Sequence, residues 1–506
     1  VAPSGPGSLP GAFESIQDAV RAAKPGATVT IEQGVYVESL ELRAPVTLRA
    51  AAGAHVTIVS QGGVPAVVVH AEGVTLAGLT LSQRGGDATL RGRRTVRCVS
   101  VLAGHASLCD CSVYSDKGVG VAVLDAATAE LVQCALQGSG KCGALAMDGA
   151  ALKLVSCVVS HNLTYGLVAQ RAALTAVRCE VRSNGGVGVL VHRPGADARL
   201  EDCLVGEHAE MGVAVQDGGH VKLERVELRR NRHAGVYGDG AGCWLSVWRC
   251  RVEESGVRGV GVQAGAAIEL AESTVSGNAQ EGVFVSGRGS RCMVQGGEVS
   301  GNGRGLVVQS RAFLVAAGAA VRDNKEGGVL VSDAETLASL SGSTVAGNLR
   351  GIGVQLGATA EVQGCLVEGN SAEGVYVSRA GSRVLIVRSQ VVRNAVKGVG
   401  VQHGGAAVLE SSQLEANALV GVHVDGQGSA AVLRFNTMVS PWPLRANAGR
   451  RLRPLPLRWR ARGAAEEGRA GQLGHPRTVV VEDGGSLRSV ANRMEDAPAG
   501  VAGAAA

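Results

Sequence analysis

Gly328-Val-Leu-Val331, Gly351-Ile-Gly-Val354 and Gly374-Val-Tyr-Val377 are three successive occurrences of one phrase. Outward from them the phrase continues as Gly305-Leu-Val-Val308, Gly282-Val-Phe-Val285 and Gly259-Val-Gly-Val262 on one side, and as Gly398-Val-Gly-Val401 and Gly421-Val-His-Val424 on the other, in steps of 23 or 24 residues. From Gly282 on, each occurrence follows a turn holding Asn (Asn278, Asn302, Asn324, Asn348, Asn370, Asn394, Asn417), and the six from Gly259 to Gly374 precede a second apolar strand ending in Val275, Val299, Val321, Val345, Val367 or Val391. Valine-rich strands with Gly/Asn/Ser turns and no helical period cannot bury their apolar face alone and must stack on copies of themselves. The stretch reads as an all-β parallel β-solenoid with one coil per repeat.

Gly and Asn suit the sharp turns of such a coil because they tolerate the left-handed backbone conformation. Asn at the same place in successive coils can also bond its neighbours' amides. With 506 residues the length prior would be several globular domains, but a solenoid grows by adding coils. Gly 74 against Phe 4, Tyr 5 and Trp 4 suits thin coils filled with small side chains. No apolar run approaches the eighteen or so residues of a membrane helix.

Residues 1–11 are Pro/Gly-rich and read as a flexible start. Ser15-Ile-Gln-Asp18 then opens a short helix, with Ile16, Ala19, Val20 and Ala23 on one face and Pro25-Gly26 as its stop, placed to cap the solenoid end. The β-helix itself is expected over 12–440, less regular before residue 258, where the phrase appears as Gly118-Val-Gly-Val121, Gly186-Val-Gly-Val189 and Gly212-Val-Ala-Val215. Residues 441–506 hold 11 Arg, no Lys and 6 acidic residues, so the whole net charge of +5 lies there. They read as a basic, Pro/Arg-rich, poorly structured tail, with one stray strand at Thr478–Glu482. Only this tail suggests contact with nucleic acid.

Cys111, Cys134, Cys157, Cys179 and Cys203 are 23, 23, 22 and 24 residues apart, and Cys250 and Cys365 fall at the same repeat position, which Ser273, Ser389 and Ser412 occupy elsewhere. One per coil means a vertical stack of small side chains at a corner. No Cys pair or Cys/His cluster has ligand spacing, so neither metal nor cofactor is expected. Free thiols in this number point to a reducing, cytoplasmic location.

No catalytic residue emerges. Glu253-Glu254 and Glu207 with Glu210 are the nearest carboxylate pairs and read as solvated turns, while His161, His192, His220 and His233 are scattered among coils.

The opening Ser15-Ile-Gln-Asp-Ala-Val20 through Gly34-Val-Tyr-Val-Glu38 resembles the first coil of many right-handed parallel β-helix proteins of the pectin-lyase-like superfamily. The phrases Lys397-Gly-Val-Gly-Val-Gln402 and Glu373-Gly-Val-Tyr-Val-Ser378 are similar to the β-helix repeats of F-box-type ubiquitin-ligase adaptors, which use the solenoid to hold substrates. That resemblance implies a non-catalytic, protein-binding scaffold. Pectate-lyase-like and polygalacturonase-like sites would need clustered Asp or a Gly-His-Gly element, and the chain has neither. The alternative class is a carbohydrate-active β-helix enzyme of lyase or epimerase type.

A binding face is expected where the residue between two inward valines points outward. This column holds Tyr237, Phe284, Leu330, Tyr376 and His423, with Gly or Val in the intervening coils, and beside it run Gln263, Gln309, Gln355 and Gln402. Two readings are open: a platform for a protein segment, an extended peptide or a polysaccharide, or bulky residues that cover neighbouring glycines.

Overall fold

A computed structural model describes residues 1–2, 12–85, 96–440 and 477–496. The chain divides into two compact units, 1–280 and 281–506. Each coil in either unit is three short strands, and each strand pairs in parallel with its equivalent one coil on. In the first unit His105–Cys109, Ser112–Ser115 and Val119–Val123 pair with Thr128–Val132, Ala135–Gln137 and Cys142–Met147. In the second, Arg291–Gln295, Glu298–Ser300 and Arg304–Gln309 pair with Phe313–Ala317, Ala320–Arg322 and Gly327–Ser332. These three families of strands are called the first, second and third sheets below. The fold is a right-handed parallel β-helix, the hand that parallel crossovers take almost without exception.

The core is the interior of the coils. Val262, Val285, Val308, Val331, Val354, Val377, Val401 and Val424 are all 0% exposed, which fixes the register read from the sequence. Truncating Val354 to Ala should cost about 1–3 kcal/mol in denaturant unfolding. A loss under half of that would mean the coil closes over the missing methyls.

The N-terminal helix α1, Ile16–Ala22, forms where the sequence placed it. Ser15 Oγ accepts from the Asp18 N–H at 3.2 Å, and Glu38 accepts from the Ile16 and Gln17 N–H groups at 2.9 and 3.0 Å. An anion thus satisfies donors that a helix start leaves free. Only Ile16 and Ala19 of the expected face are fully buried; Val20 and Ala23 are half-buried.

The turns depart from expectation in one respect. The left-handed residue is the one before each Asn: Gly301, Asp323, Gly347, Gly369, Arg393 and Ala416 have φ of 64°, 57°, 66°, 60°, 54° and 53°. The Asn that follows keeps ordinary backbone and turns its side chain inside. There it builds a ladder: Asn348 N–H donates to Asn370 Oδ1 at 3.1 Å, Asn370 N–H to Asn394 Oδ1 at 3.2 Å and Asn394 N–H to Asn417 Oδ1 at 3.1 Å. The phrase glycine is explained by the same ladder. A Cβ on Gly351 would lie 2.3 Å from the Gly374 carbonyl oxygen and 2.9 Å from Asn370 Nδ2, so the position needs a close backbone approach rather than a left-handed φ.

The cysteine column forms the second ladder. Cys134, Cys157 and Cys179 N–H groups donate to the sulfurs of Cys157, Cys179 and Cys203 at 3.4, 3.5 and 3.4 Å, and Cys250 N–H donates to Ser273 Oγ at 3.1 Å. All twelve cysteines are free thiols. Burial pushes Cys250 up to about 11 and Cys142 and Cys292 up to about 12. Thiol reagents should therefore label the folded protein slowly, half-buried Cys109 first, and the unfolded chain quickly. Rapid labelling of Cys157 or Cys179 in the folded state would contradict a closed column.

Residues 477–496 make three strands where the sequence suggested one. Arg477–Glu482, Ser486–Val490 and Arg493–Asp496 pair with Val420–Asp425, Ala430–Arg434 and Thr437–Ser440. The signal was Asn492, whose Oδ1 accepts from the Asn436 N–H at 2.8 Å at the corner used elsewhere by Cys or Ser. Of the segment 1–11 expected to be flexible, Val1 and Ala2 are described, with the Val1 amino group donating to the Thr30 carbonyl at 2.8 Å and the Ala2 N–H to the Phe13 carbonyl at 3.0 Å; residues 3–11 and the rest of the basic tail lie outside the described residues.

Candidate binding face

The outer face of the third sheet carries the residues singled out as a platform. In the second unit the register runs Phe284, Val307, Leu330, Gly353, Tyr376, Gly400 and His423 along one column. The neighbouring column runs Ser286, Gln309, Ser332, Gln355, Ser378, Gln402 and Asp425 in the same register. In the first unit Tyr237 stands beside Gly261, and Gln263 donates to Asp239 at 3.4 Å. Bulky and small residues thus alternate coil by coil, as the spacing implied.

These side chains are less exposed than an open platform would make them. Phe284 is 9% exposed and Val307 2%, while Leu330, Tyr376 and His423 are half-buried. They lean on their small neighbours: a Cβ on Gly261 would be 2.9 Å from the Tyr237 ring, and one on Gly353 would be 3.4 Å from Leu330. Tyr237 and Leu330 thus cover the backbone of neighbouring glycines.

A third column had not been singled out. Immediately before the phrase glycine, Arg304, Arg350 and Lys397 recur every second coil along the opposite edge of the face. Arg304 pairs with Glu326 at 2.5 Å and Arg350 with Glu373 at 3.1 Å, and the Arg350 guanidinium lies 5.2 Å from the Tyr376 ring centre. Like charges stacked at the ~4.8 Å spacing of adjacent strands would repel, and no two of these cations stand in adjacent coils: Gly327 separates Arg304 from Arg350, and Glu373 separates Arg350 from Lys397. At the far end His423 Nε2 is 3.2 Å from Glu482.

The scattered groups stay scattered. Glu253 pairs with Arg251 at 3.0 Å and Glu254 with Arg230 at 3.3 Å, so adjacent carboxylates serve different arginines. Glu207 accepts from Ser183 Oγ at 3.2 Å and lies 3.8 Å from Arg230. His161, His220 and His233 are exposed in separate turns and strand ends, and His192 is half-buried with its pKa lowered by burial and by Arg193. Among the described residues no three His, Cys, Asp or Glu side chains are grouped to hold a metal ion, and no helix is long and apolar enough to cross a membrane.

One histidine was missed. His208 is 2% exposed and occupies the Asn place of its coil, 24 residues after Asn184 and 23 before Asn231. Extending the Asn register through the less regular coils would have found it.

The family model for the right handed beta helix region matches residues 55–225, 144–299 and 292–438. No protein with a curated description matches the chain. Among solved structures, a periplasmic alginate epimerase, AlgG, is 15% identical over 57% of this chain and 78% of its own, with a TM-score of 0.40. The A-module of the Azotobacter vinelandii mannuronan C-5 epimerase AlgE6 is 16% identical over 69% and 92%, with a TM-score of 0.42. A chain of the Vag8–C1 inhibitor complex is 15% identical over 82% and 92%, with a TM-score of 0.40. None of these likenesses is an argument for activity. The family model, in contrast, spans most of the coils described above, and the chain belongs to the right-handed beta helix family.

Proposed function

We propose that this β-helix is a binding scaffold and that the outer face of the third sheet in the second unit holds an extended chain molecule. The observation that supports this is the alignment of three chemically distinct columns on one face: Phe284, Leu330 and Tyr376 in the middle, Gln309, Gln355 and Gln402 along one edge, and Arg304, Arg350 and Lys397 along the other. Rings give contact area at low entropic cost and amides give direction. A protein segment, as held by F-box-type adaptors, and a polysaccharide are the two candidate occupants. The reducing, cytoplasmic location implied by twelve free thiols belongs to the adaptor form of the proposal.

The polysaccharide occupant would also serve a carbohydrate-active enzyme, which is the second reading. A lyase or epimerase would need a base set against a sugar ring carbon, and the adjacent carboxylates Glu253 and Glu254 are paired with Arg251 and Arg230. The test is the double substitution Phe284→Ser with Tyr376→Ser, measuring unfolding and the capture of partners from the native source. Reduced capture by a variant that still folds is the expected result. Lost stability with unchanged capture would show that the column only covers glycine.

A further inference from the structure

The face repeats every two coils, not every coil. Strands with a cation, a smaller centre and Gln, as in Arg350-Gly-Ile-Gly-Val-Gln355, alternate with strands carrying a bulky centre and Ser, as in Gly327-Gly-Val-Leu-Val-Ser332 and Glu373-Gly-Val-Tyr-Val-Ser378. At strand spacings of ~4.8 Å the chemical period along the stacking direction is about 10 Å. An extended peptide, whose side chains repeat on one side about every 7 Å, falls out of step with this face after one period. Charge narrows the choice further. Arg304 and Arg350 are neutralised by Glu326 and Glu373, and Glu373 and Lys397 both border Gly400, so the edge offers no excess of cations to a polyanion. Among the described residues the side chains of Gln309 and Gln355 have no hydrogen-bond partner, and both are half-buried.

Building on the binding-face reading, we propose that the occupant is an uncharged polysaccharide joined by diequatorial 1,4-linkages, lying along the stacking direction with one disaccharide to every two coils. In such a chain each ring is turned over relative to the last, so its chemistry repeats every second sugar, over about the same 10 Å as two coils. One sugar of each pair lies against the bulky centre, Leu330 or Tyr376. The next lies in the trough over Gly353 or Gly400, where Gln355 or Gln402 reaches its hydroxyls and the ion-paired edge donates from arginine N–H groups.

The test is calorimetric titration of the full chain with cellohexaose, β-1,4-mannohexaose and chitohexaose, their disaccharides, and hexagalacturonate, whose linkages are diaxial and whose rings are charged. At least one uncharged hexamer should bind about tenfold or more tightly than its disaccharide, with little change between low and high salt. Tyr376→Ala and Gln355→Ala should each weaken it about three- to tenfold while leaving thermal unfolding in place. Failure of all three uncharged hexamers overturns the proposal. If hexagalacturonate binds instead and both variants weaken it, the ligand class is wrong and the binding face stands. Binding of an uncharged hexamer that neither variant affects overturns the face itself.

Discussion

Replacing Asn370 with Ala should destabilise the second unit by about 2–4 kcal/mol, more than removing methyls from a core valine. The side chain is 0% exposed and works in both directions. Its Oδ1 accepts from the Asn348 N–H and Nδ2 at 3.1 and 3.2 Å, while its Nδ2 donates to the Val345 carbonyl and to Asn394 Oδ1 at 3.2 and 2.9 Å. Alanine removes all four contacts and leaves the Asn348 N–H buried without this acceptor, which carries the full desolvation cost. Asn370→Ser should cost about as much, because Ser139 and Ser255, at the same corner in the first unit, donate their N–H groups to Asn162 and Asn278 while their own hydroxyls are buried without a hydrogen-bond partner. Denaturant unfolding of the two variants checks both claims. A Ser variant as stable as the native chain would mean that backbone geometry, and not the amide, carries the corner.

How much of this was legible in the sequence depends on what the period can encode. Coil length, strand direction and the inward valines follow from spacing alone, because a one-residue slip would turn Val331 and Val354 outward. Which residue takes the left-handed turn does not follow. Asn and Gly were both plausible, and only the ladder geometry shows that Asn394 must stay in ordinary backbone to reach its neighbours while Arg393 bears the positive φ. The outward columns were legible as columns. Their depth was not, since nothing in the spacing distinguishes Val307, 2% exposed, from the half-buried Leu330 one coil on. The cations at Arg304, Arg350 and Lys397 were visible in the letters but lacked meaning until registered against Glu326 and Glu373.

The same ladder, interrupted by His208, should make the first unit lose stability in mild acid. His208 Nδ1 accepts from the Asn184 N–H at 3.2 Å, which fixes Nδ1 as the unprotonated nitrogen, and Nε2 then donates to the Val181 carbonyl at 3.1 Å. The neutral ring thus accepts from and donates to the preceding coil, as Asn370 does with the Asn348 N–H and the Val345 carbonyl. Burial lowers its pKa from 6.5 to about 4, against weaker opposing effects from Val181, Asn184 and Glu207. A depressed histidine pKa means that the unfolded chain takes up a proton before the folded one does. The stabilisation is therefore complete above pH 6.5, declines as the pH falls through that value, and has been lost by about pH 4, a total of about 3 kcal/mol. His208→Asn restores the ladder with a group that does not titrate, and there is room for it because Gly188 has no side chain to meet the ring. Unfolding free energies measured at pH 7 and pH 4.5 should fall by about 2–3 kcal/mol more for the native chain than for the variant. Parallel declines for the two proteins would place the acid sensitivity in other groups and leave His208 a spacer in the column.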